Sequence, residues 1–153
     1  MLITFERATP DDVITLVAVQ TAAFNNDAVV YPGVELGGPP GYDSVEYNLA
    51  QMREDDYYKI LADGRIIGGI IVANVGEGRF HLGVLYIHPD YHRHGIGSQA
   101  IQFIEATYPA KRWTLNTPSY AVRNHRFYEK HGYVKVGEHP YTSFSLHDYE
   151  KRL

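Results

Sequence analysis

"YHRHGIGSQAIQFIE" (Tyr91–Glu105) decides how this chain is read. Gly95 and Gly97 stand one residue apart. They follow an apolar run that reads as a strand, Arg79–Ile87, and precede a segment with helical spacing, Gly97–Thr107. Glycines at such a junction either make a plain turn or let bare backbone approach a ligand. A helix N-terminus carries free N–H groups and partial positive charge, so a glycine-lined junction of this kind is built to hold phosphate. Two common phosphate motifs do not fit. A dinucleotide fingerprint needs a third glycine and an early strand, with an acid about 20 residues on. A P-loop needs Gly-Lys-Ser/Thr, which is absent. The expected ligand is therefore a phosphate-bearing cofactor of another kind.

Outward from that junction, Asp63-Gly64 and Gly76-Glu77-Gly78 are turn signals between apolar runs. They predict an antiparallel meander of strands over Tyr57–Ala62, Arg65–Asn74 and Arg79–Ile87. The last two are apolar at nearly every position, as in a central sheet covered on both faces. Upstream, "LITFERA" alternates like a strand (Leu2–Arg7), and Thr9-Pro10-Asp11 opens a helix running to about Phe24. "NNDAVVYPGVELGGPPGYDS" is rich in Gly and Pro and predicts an irregular loop, of a length often given to function. A second helix follows in "YDSVEYNLAQMRE", with Asp43 or Ser44 as cap. Downstream, "RWTLNTP" is a strand and "AVRNHRFYEKHG" a helix closed by Gly132. "YVKVGE" and "TSFSLHDYEKR" are two final strands. The order β-α-α-β-β-β-α-β-α-β-β implies one mixed sheet with helices on both faces, an α/β (α+β mixed) domain over 1–153.

The totals narrow the function classes. At 153 residues, 44% hydrophobic and 21% charged, the chain has globular values and length for a sizeable core. A net charge of −4 argues against a nucleic-acid partner or an anionic membrane. There is no cysteine, hence no disulfide, thiol nucleophile or Cys-ligated metal. The N-terminus lacks the basic flank and apolar run of a signal peptide. No apolar stretch is expected to approach the roughly 18 residues of a membrane span. A cytoplasmic location is the expectation.

Two motifs together resemble one family. "LYIHPDYHRHGIGSQAIQFIE" is similar to the acyl-CoA signature Gln/Arg-x-x-Gly-x-Gly/Ala of the GNAT superfamily of N-acetyltransferases. "RNHRFYEKHGYVKVG" resembles its second signature, a helix ending Phe-Tyr-Glu-Lys-x-Gly-Phe/Tyr. Their order and separation match the family, as does the element order across essentially the whole chain. The resemblance implies a mostly antiparallel sheet of about seven strands, splayed between the fourth and fifth. It implies acetyl-CoA as acetyl donor, without a metal. The pyrophosphate would rest on amides of Arg93, His94, Gly95, Ile96, Gly97 and Ser98. The pantetheine arm would run beside Leu85, Tyr86 and Ile87, with an amide near Tyr86 polarising the thioester carbonyl. Two positions depart from the pattern. His92 stands where the family has Gln or Arg, with Arg93 next door to compensate. Ala121 stands where many members have Asn, and Asn124 or Asn116 is the candidate replacement.

Acetyl transfer to an amine needs a neutral amine, a stabilised oxyanion and a proton for the leaving thiolate. An alkyl amine titrates near 10, so a base helps at neutral pH. The resemblance makes Tyr128 the candidate acid. His81, eleven residues before His92, stands where relatives carry a Glu or His base, and it interrupts the apolar run "FHLGVLYI". Ordered water or Glu46 on the second helix is the other candidate base. The plain alternatives are core packing for Tyr128 and a hydrogen-bonded core histidine for His81. His92-x-His94 lacks a third metal ligand nearby; His125, His131, His139 and His147 are read as surface. Asp27, Glu35, Asp43 and Glu46 fall where this superfamily closes over its acceptor, which favours a cationic small-molecule or peptide amine. A non-catalytic acyl-CoA-binding module is the alternative function, and a homodimer is a possible assembly.

Overall fold

The computed structural model describes residues Met1–Leu153. Its seven strands form one sheet in the order β1-β2-β3-β4-β5-β7-β6. They are β1 (Ile3–Arg7), β2 (Asp56–Ala62), β3 (Arg65–Gly76), β4 (Arg79–Ile87), β5 (Arg112–Pro118), β6 (Val134–Pro140) and β7 (Ser145–Arg152). Every neighbouring pair is antiparallel except β4 and β5, which run parallel. The helices are α1 (Val13–Asn25), α2 (Asp27–Val30), α3 (Val45–Glu54), α4 (Ile96–Thr107) and α5 (Val122–Lys130). The mixed, mostly antiparallel sheet with helices on both faces is the architecture expected from the element order.

The helices divide between the faces by their apolar stripes. On α4, Ile96, Ala100, Ile101 and Ile104 are buried at helical spacing and join the main core with Trp113, Leu115 and Tyr149. On α1, Leu16 and Val19 pack against Tyr57, Ile71 and Tyr86 on the opposite face. Thr9 receives the first turn: its N–H and hydroxyl both donate to Asp12 Oδ2, at 2.9 and 3.2 Å. Ser44, one of the two expected caps, accepts from Tyr47 N–H at 3.1 Å and starts α3.

Several local expectations are corrected. The segment 25–44 is not wholly irregular, because Asp27–Val30 continues the helical path for one turn. With the 3₁₀ turn Pro10–Asp12, this yields a helical run Pro10–Val30 of 21 residues, long and apolar enough by length and composition to cross a membrane. The sequence pattern hid it because Asn25, Asn26 and Asp27 interrupt the apolar run. Here Leu16 and Val19 of that run lie buried against the sheet. β4 is less covered than β3: Gly83 is exposed and Val84, Leu85 and Ile87 are only half-buried. The reason is that both faces of this strand border cavities. Finally, His125, His131 and His147 are half-buried and only His139 is exposed.

Two irregularities of β4 set up the site. In its register with β3, Ile71 pairs with Val84 and Val72 with Leu82, so Gly83 is an extra, bulged residue. Side chains alternate along a strand, and one extra residue inverts the alternation. Phe80 and Leu82 face the main core, and beyond the bulge Leu85 and Ile87 pack on that same side, while Val84 and Tyr86 turn to the α1 face. The pairing with β5 covers only Arg79–Arg112, Phe80–Trp113 and His81–Thr114. After that the two strands separate, and this edge of Gly83–Ile87 has no strand partner.

Candidate functional site

The chain between β4 and α4 turns twice through the left-handed region, at Arg93 (φ 66°) and Gly95 (φ 71°). Gly95 precedes the first helical residue, Ile96, one position earlier than the sequence pattern predicts. A side chain at Gly97 would come within 3.0 Å of the Phe127 ring, so this glycine lets α4 approach α5 closely. Arg93, His94 and Gly95 are exposed, Ile96 is buried in the core, and Gly97 and Ser98 are half-buried. Amides at a helix start, after left-handed residues, form an anion-binding concavity. The Ile96 side chain is committed to packing, leaving only its backbone to that role.

His92 is exposed, but its ring is not loose. Nε2–H donates to the carbonyl of Ile87 at 2.9 Å, closing the turn at the end of β4. Ser98 Oγ is paired with His131 Nε2 at 2.9 Å, which explains why His131 is not on the surface. His125 Nε2–H donates to the carbonyl of Pro118 at 2.9 Å, and its ring stacks on His147. No three His, Asp or Glu side chains are grouped to hold a metal ion.

A cavity of about 180 Å³ opens beside this turn, on the α4–α5 face. Leu85, Ile87, His92, Gly97, Asn124 and Tyr128 line it, with Phe127. Asn124 is held by donating to Thr117 Oγ1 at 3.2 Å. Tyr128 is buried by packing against Phe127, Tyr133 and Tyr149. Burial pushes its phenol above the ordinary tyrosine range, so it stays protonated. The other buried tyrosine hydroxyls are bonded: Tyr57 to Tyr86 at 2.6 Å, Tyr58 to Tyr108 at 2.7 Å, Tyr149 to Glu129 at 2.7 Å, Tyr133 to Glu105 at 3.5 Å. The Tyr128 hydroxyl makes no hydrogen bond within the protein and borders the cavity.

A second cavity, about 290 Å³, lies on the opposite face beneath α1 and α3. His81, Gly83 and Val84 of β4 form its floor, and Asn116 of β5 borders it across the strand separation. Pro39, Pro40 and Tyr47 cover it. His81 Nδ1 meets Thr114 Oγ1 at 2.8 Å, and its Nε2 has no protein partner. Burial pulls the imidazole below its ordinary 6.5 despite Asp55 and Asp148, which act the other way. A neutral ring that gives Nδ1–H to Thr114 keeps a lone pair on Nε2.

The expected site residues thus divide between two cavities on opposite faces. Tyr128, Leu85, Ile87, His92, Gly97 and Asn124 line one; His81 lines the other. Asn116 lies with His81, so of the two candidate asparagines only Asn124 borders the Tyr128 cavity. Tyr86 is buried on the α1 face, bonded to Tyr57. Glu46 is exposed on the first turn of α3 and lines neither cavity. Of the acids expected around the acceptor, Glu35 and Asp43 are exposed, and Asp27 is half-buried under Tyr120. Three residues that the sequence reading passed over line the His81 cavity: Gln20, Gln51 and Asp55. Gln20 carried a signal, since an amide falls in helical register with Val13 and Leu16 on a buried face.

Comparison with known proteins follows the same lines. Residues 53–135, more than half of the chain, match the model of the acetyltransferase (GNAT) domain. The chain is 41% identical over 73 residues to the uncharacterized protein YrkN of Bacillus subtilis (strain 168), a match spanning 46% of this chain and 40% of that protein. Its fold superposes on the PaiA N-acetyltransferase of Thermoplasma acidophilum, solved in complex with coenzyme A, with a TM-score of 0.79, 20% identity and full coverage of both chains. An acetyltransferase of Thermus thermophilus gives a TM-score of 0.80 at 18% identity, covering 100% of this chain and 98% of that one. Signatures, split sheet and family match agree: the chain belongs to the GNAT acetyltransferase family.

Proposed function

We propose that the protein is an N-acetyltransferase that moves the acetyl group of acetyl-CoA directly to a primary amine. One observation carries this reading. Two cavities on opposite faces of the sheet border the same stretch of β4 where it parts from β5, with a protonated phenol on one and an unencumbered imidazole nitrogen on the other. The donor fits the α4–α5 face: the turn Arg93–Ser98 offers amides to a pyrophosphate, and the unpaired edge of β4 offers backbone to the pantetheine arm. The acceptor enters from the α1–α3 face.

The roles follow. His81 Nε2 takes a proton as the amine nitrogen bonds to the acetyl carbon. Unpaired β4 amides face the thioester oxygen as charge develops there. As the carbon–sulfur bond breaks, the Tyr128 hydroxyl gives its proton to the sulfur. With no cysteine in the chain, no acyl-thiol intermediate is available on the protein, which favours direct transfer.

The competing reading is an acyl-CoA-binding module without turnover. Ala121 and the His92 ring held by Ile87 favour it, since each removes a side-chain contact to the cofactor. An amine panel with acetyl-CoA separates the two, free CoA being detected with a thiol reagent that meets no protein thiol. An amine-dependent release of CoA that Tyr128→Phe lowers about a hundredfold, with CoA binding retained, supports the enzyme. CoA binding with no release for any amine supports the module.

A further inference from the structure

We propose that the His81 cavity selects a small primary amine bearing a second N–H donor and no carboxylate, and that Asp55, Gln20 and Gln51 make the selection. This rests on the N-acetyltransferase reading above and adds the class of acceptor.

The lining carries no Lys or Arg. Its one formal charge is Asp55, whose carboxylate has no ion-pair partner, whereas neighbouring Asp56 is taken by Arg7 at 3.0 Å. A carboxylate entering this space would lose its water, find no cation, and approach a like charge. An ammonium or N–H donor would find an open carboxylate.

The neutral groups point the same way. Gln20 is 3% exposed and its Oε1 has no hydrogen-bond partner; Gln51 Oε1 is likewise buried and unpartnered. Buried amides are nearly always bonded, so two unpaired ones at one cavity mark polar side chains that lack a partner until a hydrogen-bonding ligand supplies it. Asn48 on the same wall is different: it accepts from Tyr57 and donates to the carbonyls of Gly41 and Ser44. Its amide is spent holding the cover in place.

The parts stand close together. Gln51 and Asp55 lie one helical turn apart at the end of α3, where Asp55 N–H donates to the Gln51 carbonyl at 2.9 Å. Asp56 pairs with Val72, and the next β3 residue, Ala73, pairs with His81, which sets Asp55 across one strand from the imidazole. The field of Asp55 at His81 is consistent with that proximity. An amine whose reacting end meets Nε2 therefore has Asp55 within the same enclosure. At about 290 Å³ the cavity is at the small end for ligand sites, which holds the acceptor to compact molecules.

The test compares 1,4-diaminobutane, ornithine (the same chain with a carboxylate), ornithine methyl ester and 1-aminobutane, using kcat/KM from CoA release. The wild type should favour the diamine over ornithine at least tenfold, and the ester should regain most of the difference. Asp55→Asn and Gln20→Met should each raise the diamine KM at least fivefold, leave CoA affinity unchanged, and alter 1-aminobutane little. Ornithine turned over as well as the diamine, or a diamine KM unmoved by Asp55→Asn, overturns this inference alone. No turnover of any of the four amines overturns this inference, and the N-acetyltransferase reading falls with it only if the wider amine panel also releases no CoA.

Discussion

His81 and Thr114 form the last residue pair that β4 and β5 share, and their side chains meet there, Nδ1 to Oγ1, at 2.8 Å. Beyond that pair the strands part, so the contact fixes the imidazole at the root of the gap. The Thr114 hydroxyl orients the ring; in the tautomer that gives Nδ1–H to it, Nε2 keeps the lone pair that can take a proton. Because burial holds the imidazole below 6.5, the acid limb of the kcat–pH profile should fall below that value. Thr114→Val should cut kcat about tenfold, and His81→Gln about a hundredfold with loss of the acid limb. A pH–rate series on the three proteins reads this out. An unchanged limb in His81→Gln would assign the base elsewhere.

The tyrosine hydroxyls offer a contrast between chemistry and stability. Tyr128→Phe removes a hydroxyl with no protein partner, so urea unfolding should give a free energy within about 0.5 kcal/mol of wild type. Tyr57→Phe removes the link between Tyr86 and Asn48 Oδ1 and leaves a buried acceptor unpaired, at a cost of about 1–3 kcal/mol. Activity should show the reverse order: Tyr128→Phe loses rate far more than Tyr57→Phe.

The two glycines of the turn should fail differently. Gly95→Ala forces a side chain into left-handed backbone with open space around it, costing about 1–2 kcal/mol through strain alone. Gly97→Ala keeps an ordinary backbone but presses on the Phe127 ring, which lines the Tyr128 cavity. Calorimetry should therefore show weaker CoA binding in Gly97→Ala with a smaller loss of melting temperature than in Gly95→Ala.

Asp27 predicts a pH dependence of stability. Burial pushes its carboxyl from 3.8 up to about 6, outweighing the Tyr120 hydroxyl that donates at 3.4 Å. A carboxyl raised on folding favours the folded state below 3.8, and that contribution is lost as pH rises through about 6. Asp27→Asn stays neutral throughout. Melting curves of variant and wild type should coincide near pH 4 and separate above about 6, with the variant the more stable. Curves that stay parallel from pH 4 to 8 would remove burial as the cause.

Strand existence, the two turns of the meander, the glycine junction before α4 and the helix α5 that carries Tyr128 were all legible from the chain, because each rests on short-range rules. Alternation, turn residues and helix spacing involve neighbours a few positions apart, and Gly95 needs its left-handed backbone whatever surrounds it. The histidines were misread for a related reason: His125 and His131 become half-buried only through Pro118 on β5 and Ser98 on α4, residues distant in sequence.

What lines the His81 cavity was decided by the tertiary structure. Asp55 belongs to the run Glu54-Asp55-Asp56, which reads as ordinary solvated charge. Only the register through β2, β3 and β4 carries Asp55 toward His81, and only the bulge at Gly83 turns the strand so that cavities lie on both of its faces. A polypeptide's local pattern states which residues prefer to be buried or to turn. Which buried groups meet depends on strand order and register, and those are set by the packing of the whole sheet.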